Sequence, residues 1–185
     1  MGIFYSIYGK TIFYINSKEF LDVFINNRFY IILLVVMLMR LKYSSYKSFL
    51  MSALVNVPGT FLHEFMHFII GGALNAQPCN FTIIPKKRDD GGYIMGSVGF
   101  RNITFYNAVP ASLAPLLLLP LSFYLNRYWL PTLNTTFLNY VLYIFLQTII
   151  IENAIPSRTD FRVACIFPSG LLLYCTLFIL LLFLI

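Results

Sequence analysis

The sequence predicts an all-α membrane protein, a polytopic bundle of about five transmembrane helices with a small β-hairpin at the membrane surface. Of its 185 residues, 59% are hydrophobic and only 11% are charged, whereas soluble globular domains carry about 25% charged residues. The apolar residues also occur in long blocks, which is typical of chains that cross a bilayer several times. The net charge of +6 therefore bears on the lipid bilayer as a partner rather than on nucleic acid.

Residues 1–28 form an N-terminal segment that we expect to lie at the membrane interface. Tyr5, Tyr8 and Tyr14 alternate there with charged residues. The segment lacks the basic start, the apolar core and the small-residue cleavage site of a signal peptide. Residues 29–185 are predicted to be a single membrane-embedded domain, because no linker and no internal repeat divides them.

The first apolar block, Phe29 to Met39, is short for a transmembrane span. It crosses only if its helix begins near Leu21 and the flanking Arg28, Arg40 and Lys42 reach outward to the headgroups. In that case nine Lys and Arg lie on the side of the N-terminus and four on the other side. The positive-inside rule then predicts a multi-pass inner-membrane protein whose hairpin and functional site lie near the cytoplasmic face. If the block lies on the surface instead, the charges divide six against seven and predict no orientation.

The second block, Ser48 to Leu74, contains the motif HExxH at residues 63–67. His63 and His67 are four apart, so on a helix they share one face with their Cβ atoms about 5–6 Å apart. Two neutral imidazoles at this spacing can bind one Zn²⁺, and Glu64 is placed to act as general base on a zinc-activated water. The alternative is a pair of histidines hydrogen-bonded in a core. These are the only two histidines in the chain, and burying them with a carboxylate is costly unless they serve a purpose.

A polar interval runs from Gln77 to Asn107. Within it, Phe81–Ile84 and Tyr93–Phe105 have strand character, and Arg88–Gly92 has turn character. The pattern predicts a β-hairpin, and an ordinary connecting loop remains the alternative.

Three further apolar blocks follow this interval. Ala108 to Leu125 carries three prolines, so we expect this third span to be bent or partly unwound. The fourth and fifth spans are predicted at Phe137 to Ile151 and at Val163 to Ile185.

The fourth block ends in Asn153-Ala154-Ile155-Pro156, and Asp160 follows shortly after. An HExxH motif in an apolar segment, followed two blocks later by NxxP and an aspartate, resembles the site-2 protease family of intramembrane zinc metalloproteases. The resemblance implies a zinc site made by His63, His67 and Asp160. It also implies that Glu64 is the catalytic base and that Asn153 contacts the substrate.

The order of the blocks favours the same third ligand. The motif helix and the fourth block should run in the same direction. The two histidines lie towards the C-terminal end of the first, and Asp160 follows the C-terminal end of the second, so all three should lie near one membrane face. Glu152 is the rival, because a helical glutamate can also bind zinc. Asp160 could instead pair with a neighbouring arginine at the surface.

Together these observations predict an intramembrane zinc metalloprotease that hydrolyses peptide bonds of membrane-protein or peptide substrates. The substrate would unwind and add to the hairpin as a further strand. Two other classes stay open: a zinc-binding membrane scaffold that does not cleave, and a small transporter component whose buried polar groups line an ion path. The intact Glu64 counts against the scaffold, and the lack of other charges within the apolar blocks counts against the transporter.

Overall fold

The computed structural model of the chain is mainly helical. The residues that it describes are 2–26, 28–44, 49–84, 86–87, 93–133 and 136–184. The predicted turn Arg88–Gly92 lies outside them.

Among the described residues, three helices precede the helix that carries the motif. They are α1 (Gly2–Ile15), α2 (Lys18–Asn26) and α3 (Arg28–Ser44). The hydroxyl of Ser17 accepts a hydrogen bond from the backbone N–H of Phe20 at 3.3 Å and so caps the first turn of α2. The side chain of the preceding Asn16 accepts a hydrogen bond at 3.0 Å from the backbone N–H of Phe137. The corner between α1 and α2 is therefore fixed to the start of a helix far along the chain.

Helix α4 (Phe49–Ala73) carries the HExxH motif and contains Pro58. It ends where Asn75 adopts a left-handed backbone conformation with φ of 56°. The N–H of Ala76 donates to the carbonyl of Gly71 at 2.8 Å, and the N–H of Asn75 donates to that of Gly72 at 3.2 Å. This is the Schellman arrangement that satisfies the last helical carbonyls, so α4 ends sharply and the chain turns into the strands.

In the part of the hairpin that the structure describes, four short strands form two antiparallel pairs. They are β1 (Pro78–Thr82), β2 (Lys86–Lys87), β3 (Tyr93–Ile94) and β4 (Ser97–Phe100). β1 pairs with β4, and β2 pairs with β3. The register of the β1–β4 pair is interrupted between Cys79 and Thr82. β1 begins before the predicted start at Phe81, because the sharp end of α4 lets pairing start at Pro78. The second half of the hairpin begins at Tyr93 as predicted but ends at Phe100 and not at Phe105.

The proline-rich interval forms several short helices. They are α5 (Ala108–Ser112), a 3₁₀ turn (Ala114–Leu117), α6 (Leu118–Tyr124), a π-helical turn (Leu125–Trp129) and a second 3₁₀ turn (Leu130–Thr132). Proline has no N–H and clashes with the carbonyl four residues earlier, which accounts for the division. The predicted third span is thus bent, but its pieces are five and seven residues long.

The C-terminal helices are α7 (Phe137–Asn153), α8 (Arg158–Ala164) and α9 (Pro168–Leu184). α7 ends before Pro156, because proline cannot continue the hydrogen-bond pattern and disfavours helical geometry in the residue before it. α8 begins directly afterwards, and the two helices are bent by 48°. This bend returns the chain towards α4.

Two buried clusters hold these helices together. The first joins α3 to α7 through Leu34, Tyr140, Tyr143 and Ile144. The second joins α6 to the end of α7 through Leu118, Ile150 and Ala154, with Leu62 and Met66 of α4 packed against it. The motif helix is therefore fixed to α6 and α7 through residues adjacent to its two histidines.

The predicted bundle of five transmembrane helices is wrong. Within the described ranges, no single helix is both long enough and apolar enough to cross a bilayer, and only α7 and α8 meet that test together, as a bent pair. A span needs about 20 consecutive apolar residues, whereas α3, α7 and α9 have 17 residues each. The 25 residues of α4 include the polar Asn56 and the charged or polar groups of the motif.

The predicted multi-pass inner-membrane localisation is wrong for the same reason. It follows from counting charged residues on the two sides of five spans, and among the described residues no single helix is long and apolar enough to be such a span. The orientation of the site towards a cytoplasmic face has no basis without the spans.

Candidate metal centre

Three side chains from two distant helices converge on one point. His63 and His67 lie on α4, and Asp160 lies in the first turn of α8. The two Nε2 atoms are 3.2 Å apart. The Nε2 of His63 lies 3.4 Å from one carboxylate oxygen of Asp160, and that of His67 lies 3.3 Å from the other. These three residues form a group that could hold a metal ion.

Backbone carbonyls orient both imidazole rings. The Nδ1 of His63 lies 2.8 Å from the carbonyl oxygen of Asn153, and the Nδ1 of His67 lies 2.8 Å from that of Ala111. A carbonyl oxygen only accepts hydrogen bonds, so each Nδ1 carries a proton and each neutral ring has its lone pair on Nε2. Metal-bound histidines usually show this arrangement, in which the outer nitrogen donates to a carbonyl or carboxylate.

The facing atoms are close enough to share one cation. One ligand atom from each of the three residues lies within 4.8 Å of the others, and the two Nε2 atoms are 3.2 Å apart. The 3.4 and 3.3 Å contacts run to the two different oxygens of Asp160, so its carboxylate faces both rings. Lone pairs and carboxylate oxygens at this distance repel unless a positive charge lies among them. The chemistry of the donor set therefore fits a cation.

The start of α8 holds the Asp160 carboxylate in place. The backbone N–H of Ser157 donates to Oδ2 of Asp160 at 2.6 Å, and the Ser157 hydroxyl accepts from the backbone N–H of Asp160 at 3.2 Å. This reciprocal pair is a capping box. Burial favours the neutral carboxyl, but hydrogen bonds with His63, His67 and Ser157 hold the pKa of Asp160 well below its usual range.

The same electrostatics act on His63. Burial lowers the pKa of its imidazole, but the Asp160 carboxylate and the Asn153 carbonyl outweigh this effect and raise it above the ordinary value. Both directions are those expected where a carboxylate and two imidazoles share a positive charge. A metal ion would supply that charge in place of a proton.

Glu64 lies beside the group but outside it. Its side chain is buried, and burial raises the pKa of its carboxyl, which positive charge on His63 or His67 opposes. Gly96 lies directly over Glu64, because a Cβ at Gly96 would lie 2.9 Å from Cγ of Glu64 and would overlap Thr60. The segment before β4 thus covers one side of Glu64, which otherwise lines the cavity of the site, and a raised pKa suits a carboxylate that takes up a proton near neutral pH.

Glu152, the rival third ligand, is bound elsewhere. Its carboxylate forms an ion pair with Nζ of Lys42 on α3 at 2.7 Å. The end of α7 directs Glu152 towards α3, while the bend after α7 brings Asp160 back to the histidines. The structure therefore brings Asp160 rather than Glu152 to His63 and His67.

Asn153, predicted to contact substrate, lies beside the converging group and lines the cavity that opens onto it. Its carbonyl orients His63, and its side-chain amide donates to the carbonyl of Ile149 at 2.8 Å. The amide packs against Gly59 of α4 so closely that a Cβ at that glycine would overlap it. The absence of a side chain at Gly59 thus lets the end of α7 lie close to the motif helix.

A cavity of about 490 Å³ opens onto the group. The extended segment from Met95 to Val98 and Phe100 forms one wall, and the α7–α8 connection with Ile155 and Val163 forms another. This volume lies within the range of about 300–1,000 Å³ typical of ligand sites. The predicted hairpin interval and the predicted ligands therefore border one cavity.

Sequence reasoning missed three contributors to this site. Ser157 could have been found, because Ser-x-x-Asp at a helix start is the pattern of a capping box. The carbonyl of Ala111 and the close approach of Gly96 have no local signal. They depend on how α5 and the strands pack against α4.

Comparison of the chain with models of known families, with curated proteins and with solved structures found no match. The resemblance to the site-2 protease family stays a prediction that rests on the residues quoted for it.

Proposed function

We propose that this chain is a zinc-dependent endopeptidase. Its zinc ligands would be His63, His67 and Asp160, and Glu64 would be its general base. The observation that carries the proposal is the convergence of two histidine nitrogens and a carboxylate beside a separate, buried glutamate. Three protein ligands with a further position open to a cavity are typical of catalytic zinc sites, whereas structural sites use four protein ligands.

The chemistry divides between the metal and Glu64. Bound zinc would act as a Lewis acid and lower the pKa of an attacking water. Glu64 takes the proton of that water and passes it to the amine that leaves when the peptide bond breaks. The pKa of Glu64 is raised by burial, so its carboxylate accepts a proton more readily than an exposed glutamate does.

The extended wall of the cavity supports a peptide as the substrate. Among the described strands, β4 pairs with β1 along one edge. A peptide in the cavity could add along the other edge, where backbone hydrogen bonds hold it extended. Gly96 immediately precedes this strand and lies over Glu64, so a peptide paired there would pass close to the general base.

The test compares zinc content and peptide cleavage in matched variants. Glu64→Gln keeps the size of the side chain but cannot accept a proton. It should retain zinc while turnover of an unstructured protein or a quenched peptide library falls by about 10²–10⁴-fold. His63→Ala and His67→Ala should lose both zinc and activity. Glu19→Gln, which changes an exposed glutamate of α2, is the control and should retain both.

Two outcomes would contradict the proposal. Cleavage by Glu64→Gln at the wild-type rate would exclude Glu64 as the base. A wild-type protein that binds zinc stoichiometrically but neither cleaves nor retains any peptide would favour a zinc scaffold.

A further inference from the structure

A second cavity, of about 840 Å³, borders the cavity of the candidate metal centre. Its floor is one face of α7, on which Tyr140, Ile144 and Ile151 lie at helical spacing. α3 forms one wall and contributes Val35. α6 and the turns after it form the opposite wall, to which Leu119 belongs. The buried cluster around Leu34 fixes α3 against α7 and so keeps the two walls apart.

The polar groups in this cavity already have partners. The amide of Gln147 donates to the Tyr143 hydroxyl at 2.7 Å and to the Ser122 carbonyl at 3.3 Å. The Ser122 hydroxyl donates to the Gln147 side chain, and the Tyr143 hydroxyl donates to Asn126 at 3.1 Å. Hydrogen-bonded groups of this kind gain little from a polar ligand. The cavity therefore suits an apolar occupant.

The two cavities share part of their lining. Glu152 and Ile155 border both the metal-centre cavity and the apolar cavity. The Glu152 carboxylate at this junction is paired with Lys42, so the junction presents a neutralised ion pair instead of an isolated charge. A ligand that extends past Ile155 would thus meet a paired carboxylate at this junction.

We propose that the 840 Å³ cavity binds an apolar stretch of the peptide substrate, adjacent to the bond that is cleaved. This proposal rests on the endopeptidase function proposed above. The lining that the two cavities share favours a peptide over a free acyl chain or a second copy of the protein, because a peptide cleaved at the candidate metal centre extends into the neighbouring cavity. The residues that line the apolar cavity would select for substrates with large apolar side chains beside the cleavage site.

The test uses two fluorescent octapeptides that differ only in four consecutive residues, leucine in one and serine in the other. Binding is measured by anisotropy on zinc-loaded Glu64→Gln protein, which should not consume the peptide, and cleavage is measured on the wild-type background. Val35→Phe narrows the cavity from α3. Val36→Phe is its control, because Val36 is the next residue on α3, is exposed, and is not part of this lining. Leu119→Phe and Leu121→Phe repeat the comparison on α6, where Leu119 belongs to the lining and the exposed Leu121 does not.

The dissociation constant of the leucine peptide should rise about tenfold or more in Val35→Phe and Leu119→Phe, since burying one leucine side chain changes affinity by roughly ten- to a hundredfold. The two control variants should bind it as wild type does, and the serine peptide should bind weakly throughout. Zinc content and thermal unfolding, measured on every variant, separate a filled cavity from a misfolded protein.

Equal binding of the leucine peptide by all four variants would overturn the proposal. If the same four substitutions on the wild-type background still leave cleavage of the peptide intact, only the apolar subsite is refuted and the endopeptidase function stands. If binding depends on the cavity but the wild type cleaves nothing, the subsite stands and the catalytic function is refuted.

Two further measurements test the identity of the occupant. If sodium dodecanoate binds more tightly than the leucine peptide and Val35→Phe weakens its binding, the occupant is an acyl chain. Self-association that Val35→Phe abolishes would identify a second copy. Either result would overturn the proposal of a peptide.

Discussion

At the scale of single residues, the centre depends on which carboxylate faces the two Nε2 atoms. Asp160 does so because the capping box of α8 holds its side chain, while Glu152 is turned away and paired with Lys42. Glu64 is adjacent in sequence to His63 but is not part of the converging group. Three acidic residues in one region thus have three different environments, and each should respond differently to substitution.

Asp160→Asn and Glu152→Gln provide the first comparison. Asn retains an oxygen that can accept from the Ser157 N–H but loses the negative charge, so zinc affinity should fall by more than the 10–100-fold typical of losing an outer partner. Glu152→Gln should keep its zinc, although it should lower stability, because it removes the carboxylate that pairs with the largely buried Lys42. Metal analysis after dialysis against a chelator measures both. Equal zinc loss in the two variants would remove Asp160 as the third ligand.

At the scale of secondary-structure elements, the site is formed where α4, α5, α7 and α8 meet. α4 provides both histidines, and the ends of α5 and α7 provide the carbonyls that orient them. α8 has only seven residues, too few to be stable as an isolated helix. Its cap and its packing therefore have to keep Asp160 in place.

Ser157→Ala should weaken zinc binding through the cap of α8. The lost hydroxyl should cost about 1 kcal/mol of stability, and the looser Asp160 should lower zinc affinity by about tenfold. Thr136→Ala is the matched control, because Thr136 caps α7 by accepting from the Asn139 N–H at 3.3 Å. It should lose similar stability with unchanged zinc affinity. Zinc titration against a competing dye, beside thermal unfolding, tests this; equal zinc affinity in both variants would mean that the cap does not position Asp160.

Gly59→Ala should separate α7 from α4. The new methyl group would overlap the Asn153 amide, and such overpacking typically costs about 1–3 kcal/mol. The carbonyl that orients His63 would move with Asn153, so zinc affinity should fall as well. Gly72→Ala is the control on the same helix, since its Cβ would lie 3.9 Å from the nearest atom and alanine favours the helix by up to about 1 kcal/mol. Chemical denaturation curves of the two variants should therefore shift in opposite directions.

At the scale of the whole molecule, the metal centre connects distant parts of the chain. α4 and α8 are separated in sequence by the strands, the proline-rich interval and α7, and their polar groups meet only when these parts are folded together. Converging acceptors repel one another when no cation is bound. Metal binding should therefore be coupled to the stability of the fold.

Zinc should raise the melting temperature of the full chain. A ligand that binds only the folded state stabilises it by about 4 kcal/mol at a free concentration a thousand times its dissociation constant. Differential scanning calorimetry with zinc and with a chelator measures the shift. His63→Ala should melt at the same temperature under both conditions. A zinc-dependent shift that persists in His63→Ala would place the bound metal elsewhere.

The sequence by itself determined the local features of the site. The spacing of His63 and His67 fixes them on one helical face, because four residues are close to one turn. The prolines between residues 110 and 120 exclude a straight helix there for reasons of backbone geometry alone. The pattern Asn153-x-x-Pro156 marks the end of α7 in the same way.

Only the tertiary structure decided where the helices end and which carboxylate reaches the two histidines. Hydropathy averages over a window and does not detect where helices end, so five apolar blocks predicted five spans, whereas the helices end too early or contain polar groups. Glu152 and Asp160 remained alternatives because each follows the same apolar block. The 48° bend between α7 and α8, together with the capping box of Ser157 and Asp160, brings one of them to the histidines. Such contacts join segments far apart along the chain, and their position depends on packing that no local pattern encodes.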